Sequence, residues 1–218
     1  PDGKPEATGI VQEQLLRKLV DARRAQTDSP VYQLVEGFPD IQRLKTDVFR
    51  ARVSYSESMK SRLASARNQG QDAVAAIESS LGAIEDADSA VVIDLFLSYR
   101  AVKAWEAMID LVPKMSPPLQ ATVLVQDQLG LELNRAGRGD EAERVLLDLL
   151  EKRGPSSETC GILGRVYKDR WDEARQSGRV ALADGLLVKA IDTYLRGFEA
   201  DWRDAYPGIN AVTLMEIK

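Results

Sequence analysis

The sequence predicts an all-α fold, a solenoid of repeated helix pairs with a helical cap at its N-terminal end. Apolar residues recur at steps of three, four and seven along most of the chain, and period-two alternation is almost absent. In addition, one segment repeats at a shift of 38 residues. The composition, 44% hydrophobic and 29% charged, is typical of a folded domain rather than a disordered chain.

The composition also narrows the possible functions. The chain has no histidine, so Ser-His-Asp and Cys-His catalytic arrangements are impossible and the commonest zinc ligand is missing. Its single cysteine, Cys160, cannot form an internal disulfide and is expected to be a small buried side chain. No run of about 18 apolar residues could span a bilayer. We therefore expect a cytoplasmic, non-enzymatic protein with no cofactor and no bound metal.

We divide the chain into three parts. Residues 1–27 are interpreted as an exit helix or linker from an upstream domain, since the chain begins at Pro1 without an initiator methionine. Residues 28–87 are predicted to form the cap, including a long helix over 40–70 and a shorter Ala-rich helix after it. Residues 88–218 are predicted to hold tetratricopeptide-like repeats, as the pairs 88–117, 118–155 and 156–207 and the start of a further repeat at 207–218.

The predicted long helix is basic, and the segment after it is acidic. Residues 40–70 carry seven Lys or Arg against three Asp or Glu, whereas residues 71–160 carry eight against sixteen. Two solvated helix faces that attract one another are the simplest interpretation. Nucleic-acid binding by the basic helix is a weaker hypothesis, because the net charge of −5 argues against a polyanion-binding protein.

Self-similarity supports the repeat. At a shift of 38, AWEAMIDLVPKMSP (104–117) aligns with AERVLLDLLEKRGP (142–155), with apolar residues in the same places and the same final proline. In a tetratricopeptide repeat, small residues let two antiparallel helices approach and larger apolar residues fill the seam. Asp140 is expected to cap the second helix, with Glu143 at the capping-box spacing. The seam positions are taken by Leu129, Gly130, Leu133, Ala142, Leu146 and Leu149.

The next pair follows the same template with an insertion. Its first helix supplies Leu163, Gly164 and Tyr167, and its second supplies Ala190, Tyr194 and Gly197 if about fourteen extra residues lie between them. We interpret 169–188 as the inserted segment, which lengthens the first helix and adds a loop around Gly178. From Pro207 a new apolar stripe begins, so residues 207–218 are expected to expose an apolar face suited to pairing with a second copy.

Three short motifs resemble a known family. GRVYKD (164–169), YLRGFEA (194–200) and YPGIN (206–210), in this order around the insertion, resemble the central regulatory, TRAFs-binding domain of apoptosis signal-regulating kinases. These are mitogen-activated protein kinase kinase kinases, and the likeness extends over 118–218. The stretch 28–50 is similar to bacterial members, in which such a region follows an α/β domain related to nucleoside deoxyribosyltransferases and TIR-like proteins.

The resemblance implies a domain that binds proteins and regulates whatever is fused to it. We expect a regulatory scaffold in a multidomain, bacterial signalling or stress-response protein, acting on a partner protein or a neighbouring domain of its own chain. An alternative is the sensory or oligomerising half of a nucleotide-processing enzyme whose catalytic α/β domain lies outside this chain. A full-length nucleotide or NAD hydrolysis assay, with and without this region, separates the two.

The first helices of such pairs line the concave face, which is the usual binding surface of a solenoid. With Tyr167 on the seam, Lys168 and Asp169 are expected to be free for the insertion or a partner. Trp171 either pins the insertion or anchors a partner, whereas Trp105 is expected to be mainly core. The candidate protein-binding residues are Gln128, Glu132, Arg135, Arg165, Lys168, Asp169 and Trp171.

Other motifs have simpler explanations than chemistry. Acidic clusters at 85–88 and 140–143 lie where helices begin, where negative charge is favourable next to the helix dipole. Gly137-Arg138-Gly139 lacks the Lys-Ser/Thr that follows a phosphate loop, so a turn is expected.

Overall fold

A computed structural model describes Arg17, the backbone of 43–217 and the side chains of 53–217. The expectations for residues 1–27, and for Asp40 as a helix cap, fall outside the described residues. Residues Ser56–Lys218 form one compact unit.

Over 43–217 the structure is helical and contains no strand, which confirms the all-α repeat fold. No helix among the described residues is long and apolar enough to cross a bilayer. Two short 3₁₀ helices, Ile84–Asp86 and Val112–Lys114, interrupt the series. The α-helices are α1 (Arg43–Arg67), α2 (Gln71–Ser80), α3 (Ser89–Ala101), α4 (Trp105–Leu111), α5 (Pro117–Gln120), α6 (Val123–Arg135), α7 (Gly139–Arg153), α8 (Ser157–Gln176), α9 (Val180–Ala200) and α10 (Ala205–Ile217).

Three antiparallel pairs, α3–α4, α6–α7 and α8–α9, begin in the same way. The first helix of each pair starts at a side-chain cap, and the caps Asp88, Thr122 and Ser156 are spaced 34 residues apart. Each cap oxygen accepts a hydrogen bond from a backbone N–H of the first turn, which has no partner within the helix. These caps fix where every pair begins.

Each pair also turns in the same way. Lys103, Gly137 and Gly178 have positive φ angles of 60°, 77° and 70°, and the next residue's N–H bonds back to a carbonyl five residues earlier. The three bonds, Ala104 to Tyr99, Arg138 to Leu133 and Arg179 to Ala174, measure 3.0, 2.8 and 2.9 Å. This is the Schellman arrangement, which ends a helix through one left-handed residue.

The turns correct the predicted repeat register. Equivalent residues of the first two pairs lie 34 apart, as Lys103 and Gly137 show, so the predicted shift of 38 was wrong by four residues. Four residues make about one helical turn, so either shift places apolar residues on the same face. Periodicity alone could not separate the two shifts, whereas the backbone hydrogen bonds do.

The insertion in the third pair lies within its helices. Gly130 precedes the turn glycine Gly137 by seven residues, whereas Gly164 precedes Gly178 by fourteen. The second helix is lengthened by seven residues as well. The predicted lengthening of the first helix is confirmed, but the predicted extra loop is wrong, because Gly178 forms the same short turn as the other pairs.

The predicted seams are confirmed by close contacts at glycine. A Cβ built on Gly130 would lie 2.6 Å from Leu146 Cγ, and one on Gly164 would lie 2.8 Å from the ring of Tyr194. A Cβ on Gly197 would lie 2.9 Å from the Cβ of Cys160, which is buried as expected. Only glycine lets these helices approach so closely.

The predicted capping box at the start of α7 was wrong. The N-cap is Arg138, which makes no side-chain cap bond, because the preceding Schellman turn already determines where α7 begins. Asp140 lies in the first turn of α7 and pairs with Arg170 Nη2 at 2.8 Å. Glu143 accepts hydrogen bonds from neighbouring helices instead of reaching back to the cap.

A candidate protein-binding surface

A row of polar contacts joins the first helices along one face. Arg100, Asn134 and Lys168 occupy equivalent positions, 34 residues apart, on α3, α6 and α8. Each side chain reaches the first helix that follows: Arg100 Nη1 donates to Gln128 Oε1 (2.7 Å), Asn134 Nδ2 to Asp169 Oδ2 (2.6 Å) and Lys168 Nζ to Asn210 Oδ1 (3.4 Å). We call these six residues, with Glu132, Arg135 and Arg165, the polar ladder.

Glu132 is the buried centre of the ladder, and its predicted exposure was wrong. Its side chain is fully buried, with Oε1 2.7 Å from Arg135 Nη1 and 3.8 Å from Arg100 Nε. Its Oε2 has no hydrogen-bond partner among the described residues. Burial raises the pKa of Glu132 despite the opposing arginine charges. Helical position predicted the correct face, but α3 and the two arginines cover it.

Arg135 links the ladder to an aromatic ring. Its guanidinium carbon lies 5.0 Å from the centroid of Trp105, at the start of α4, in a cation–π arrangement. Trp105 is half-buried rather than mainly core, because one side of the ring contacts this guanidinium. Arg135 therefore contacts a buried carboxylate and an aromatic ring while remaining exposed.

The ladder carries an excess of positive charge. Four cationic side chains belong to it, Arg100, Arg135, Arg165 and Lys168, against the two carboxylates of Glu132 and Asp169. Arg165 is exposed and pairs with Asp169 through a distance of 3.6 Å within α8. Since the whole chain has a net charge of −5, this positive surface differs in sign from the molecule around it.

The predicted free pair of residues is in fact engaged. Lys168 is half-buried and bonds to α10, and Asp169 accepts the amide of Asn134 on α6. Gln128 is half-buried and accepts from Arg100. These predicted residues therefore connect successive first helices, whereas Arg135 and Arg165 present most of their charge to solvent.

Trp171 packs against the repeat, which favours its structural interpretation. Its half-buried ring borders the core of the last two pairs, with the Arg175 guanidinium carbon 5.3 Å from the ring centroid. Nearby, Glu143 of α7 accepts from Tyr167 at 2.8 Å, from Arg170 and from Lys189 at 3.3 Å. Although burial opposes it, these bonds lower the pKa of Glu143. The lengthened helices are thus fastened to α7.

The described part of the basic helix uses its charges within the chain. Arg67 donates to Asp94 Oδ1 at 2.5 Å and to Ser98 Oγ at 2.9 Å, and Lys60 pairs with Glu57. The structure adds no support for nucleic-acid binding. No group of acidic or cysteine side chains suited to a metal ion occurs among the described residues.

The stacked pairs and their polar face define a tetratricopeptide-like domain, a class that mediates protein–protein interactions. The chain belongs to the Tetratricopeptide Repeats-Sensor family, whose model matches residues 104–215, just over half of the chain. It is also 30% identical over 144 residues to mouse (Mus musculus) mitogen-activated protein kinase kinase kinase 15, covering 61% of this chain. Both findings confirm the resemblance to the regulatory domain of apoptosis signal-regulating kinases. The match covers 10% of that kinase.

Sequence reasoning missed the ladder residues Arg100, Asn134 and Asn210. A signal for the first two exists, because Arg100, Asn134 and Lys168 coincide when the chain is shifted by 34 residues. The shift of 38 hid this coincidence. Asn210 escaped because its role depends on the placement of α10 beside α8.

Proposed function

We propose that this chain is a non-enzymatic regulatory module that binds a carboxylate-bearing protein segment on its polar ladder. The observation that carries the proposal is the convergence of three guanidinium groups, from α3, α6 and α8, on one face. Arginine suits this task because its planar fork binds carboxylates through charge-assisted hydrogen bonds. The bound segment belongs to a partner protein or to another domain of the same protein.

The relative supports the regulatory part of the proposal. It is named as a kinase, and this chain corresponds to a tenth of it. We propose that the module acts on the activity of a fused or partner domain in a signalling protein, with residues 28–87 as the cap and 88–218 as the repeats. The printed family description, a repeat sensor, supports the same role.

The test uses a short labelled peptide of alternating glutamate and alanine as the probe, followed by fluorescence anisotropy at low salt. Arg165→Gln should weaken binding about fivefold, since one exposed charge is lost. Asp169→Asn should strengthen binding, because it removes a competing carboxylate from Arg165 and keeps an oxygen that can accept the Asn134 amide.

The matched control is Arg153→Gln, which removes an exposed charge from the last turn of α7, outside the ladder. Its affinity should equal that of the unmodified chain. Equal loss in Arg153→Gln and Arg165→Gln would show a diffuse charge effect and overturn the proposal. Equally tight binding of a single-stranded oligonucleotide would instead assign the surface to nucleic acid.

A further inference from the structure

Helix α10 occupies the place of a first helix. Its buried residues Pro207, Ala211 and Leu214 contact the preceding pair, and Asn210 receives the ladder contact from Lys168 just as Gln128 receives one from Arg100. When α10 is aligned with α6 and α8 through this contact, Ile209, Val212 and Met215 fall on defined seam positions.

Those seam positions are buried in both preceding first helices. In α6 they are Asp127, Gly130 and Leu133, and in α8 they are Gly161, Gly164 and Tyr167. The second helix of each pair lies antiparallel on them. In α10 the equivalent side chains are exposed, with Ile209 at 64%, Val212 at 56% and Met215 at 44%. No second helix covers them among the described residues.

The uncovered face is apolar and uncharged. From Ala205 to Met215 the helix carries no Asp, Glu, Lys or Arg, and apolar side chains surround it on all sides. A helix that is hydrophobic all round is normally buried. Trp202, exposed at 75%, extends the apolar surface just before the helix begins. The face is therefore suited to an apolar helix rather than to a charged segment.

We propose that a second copy of this chain covers the face, with the α10 helices of the two copies antiparallel about a twofold axis near Val212. A twofold axis perpendicular to the helix makes the partner antiparallel, which is the orientation of the second helix in every other pair. Ile209 of each copy then lies opposite Met215 of the other, and no like charges meet. Val212 in place of the seam glycine sets a wider helix separation than in α6–α7.

The area sets the strength of this association. With Trp202, the exposed parts of these side chains amount to roughly 450 Å² per copy, so two copies bury on the order of 900 Å², at the low end of specific interfaces. The dimer is therefore weak and concentration-dependent, in the micromolar range or above.

Sedimentation equilibrium of the whole chain between about 5 and 200 μM tests the proposal, since a small interface dissociates in this range. The average molar mass should rise towards twice the monomer value. Val212→Lys should remain monomeric throughout, because it places two like charges together at the axis. Thr213→Lys, which adds the same charge to a neighbouring exposed position, should still dimerise.

A charge-complementation experiment tests the geometry itself. Val212→Glu and Val212→Lys should each be monomeric, whereas an equimolar mixture should form a heterodimer, because the two residues at position 212 face each other. A monomeric unmodified chain at the highest concentration, or dimerisation of Val212→Lys alone, overturns the proposal. Failure of the mixture to associate overturns the twofold arrangement.

Discussion

Compared with α6–α7, the α8–α9 pair has the same glycine seam and the same turn but is longer by seven residues in each helix. Seven residues make about two helical turns, so the added segments leave every seam residue facing the same way. Gly130 meets Leu146 in the shorter pair, and Gly164 meets Tyr194 in the longer one. A repeat can thus be extended without disturbing its packing when both helices grow by a whole number of turns.

The extension needs its own support, because α7 is too short to cover it by seam contacts alone. That support is polar: Glu143 and Asp140 of α7 receive Arg170, and Glu143 also receives Lys189 of α9. The α6–α7 pair has no equivalent, since Arg138 there pairs with Glu106 and Glu141 near its own turn. Extending the pair therefore exchanged an internal turn contact for contacts between three helices.

The largest predicted effect tests whether the two seams are equivalent. Gly130→Ala and Gly164→Ala should each destabilise the fold by about 3 kcal/mol, because the new methyl group overlaps Leu146 or Tyr194. Gly185→Ala on α9 is the matched control, since a Cβ there meets nothing within 4 Å. It should stabilise by about 0.5–1 kcal/mol through helix propensity. Urea unfolding followed by circular dichroism measures all three; tolerance of Gly164→Ala alone would show that the longer pair has a looser seam.

A smaller effect concerns a seam position where the pairs differ. α6 has Asp127 and α8 has Gly161 at the equivalent place. Burial raises the pKa of Asp127 from 3.8 to about 6, the Thr159 hydroxyl opposes this, and the Glu158 charge adds to it. The folded state then holds a proton that the unfolded state releases, so Asp127 should lower the free energy of unfolding as pH rises from about 4 to 6.

Asp127→Asn should remove this pH dependence and raise the free energy of unfolding at pH 7 by about 2 kcal/mol, because a buried charge without a full set of partners is lost. Denaturant titrations at several pH values measure the effect. The corresponding control is Asp148→Asn, an exposed carboxylate on α7. An unchanged slope between pH 4 and 6 in Asp127→Asn would assign the titration to another group.

The smallest effect compares the three turns. Lys103 is the only residue other than glycine with positive φ among the described residues, and it takes the place of Gly137 and Gly178. Lys103→Gly should stabilise by about 1 kcal/mol by relieving the left-handed strain, whereas Gly178→Ala should destabilise by a similar amount. Thermal melts measure both. Opposite signs in the two variants support a common turn, and the same sign would contradict it.

Much of the fold follows from residue order alone. The small and large seam residues of 118–200, the helix at 207–218 with its exposed apolar face, and the burial of Cys160 and Tyr167 were predictable, because helical periodicity and residue volume are local properties. The repeat register was not, since a one-turn shift preserves the apolar face. The candidate site was predictable only as a face, through the first helices that line it.

Availability within that face was decided by the tertiary structure. Glu132 is buried because Arg100, 32 residues earlier, and Arg135 close over it, and Asp169 is engaged because Asn134 on the preceding first helix reaches it. Such contacts depend on how far apart successive first helices lie, which glycines at the seams and the shared turns determine together. The sequence by itself determined which residues line the polar face, whereas the packing of one pair on the next decided which of them remain exposed.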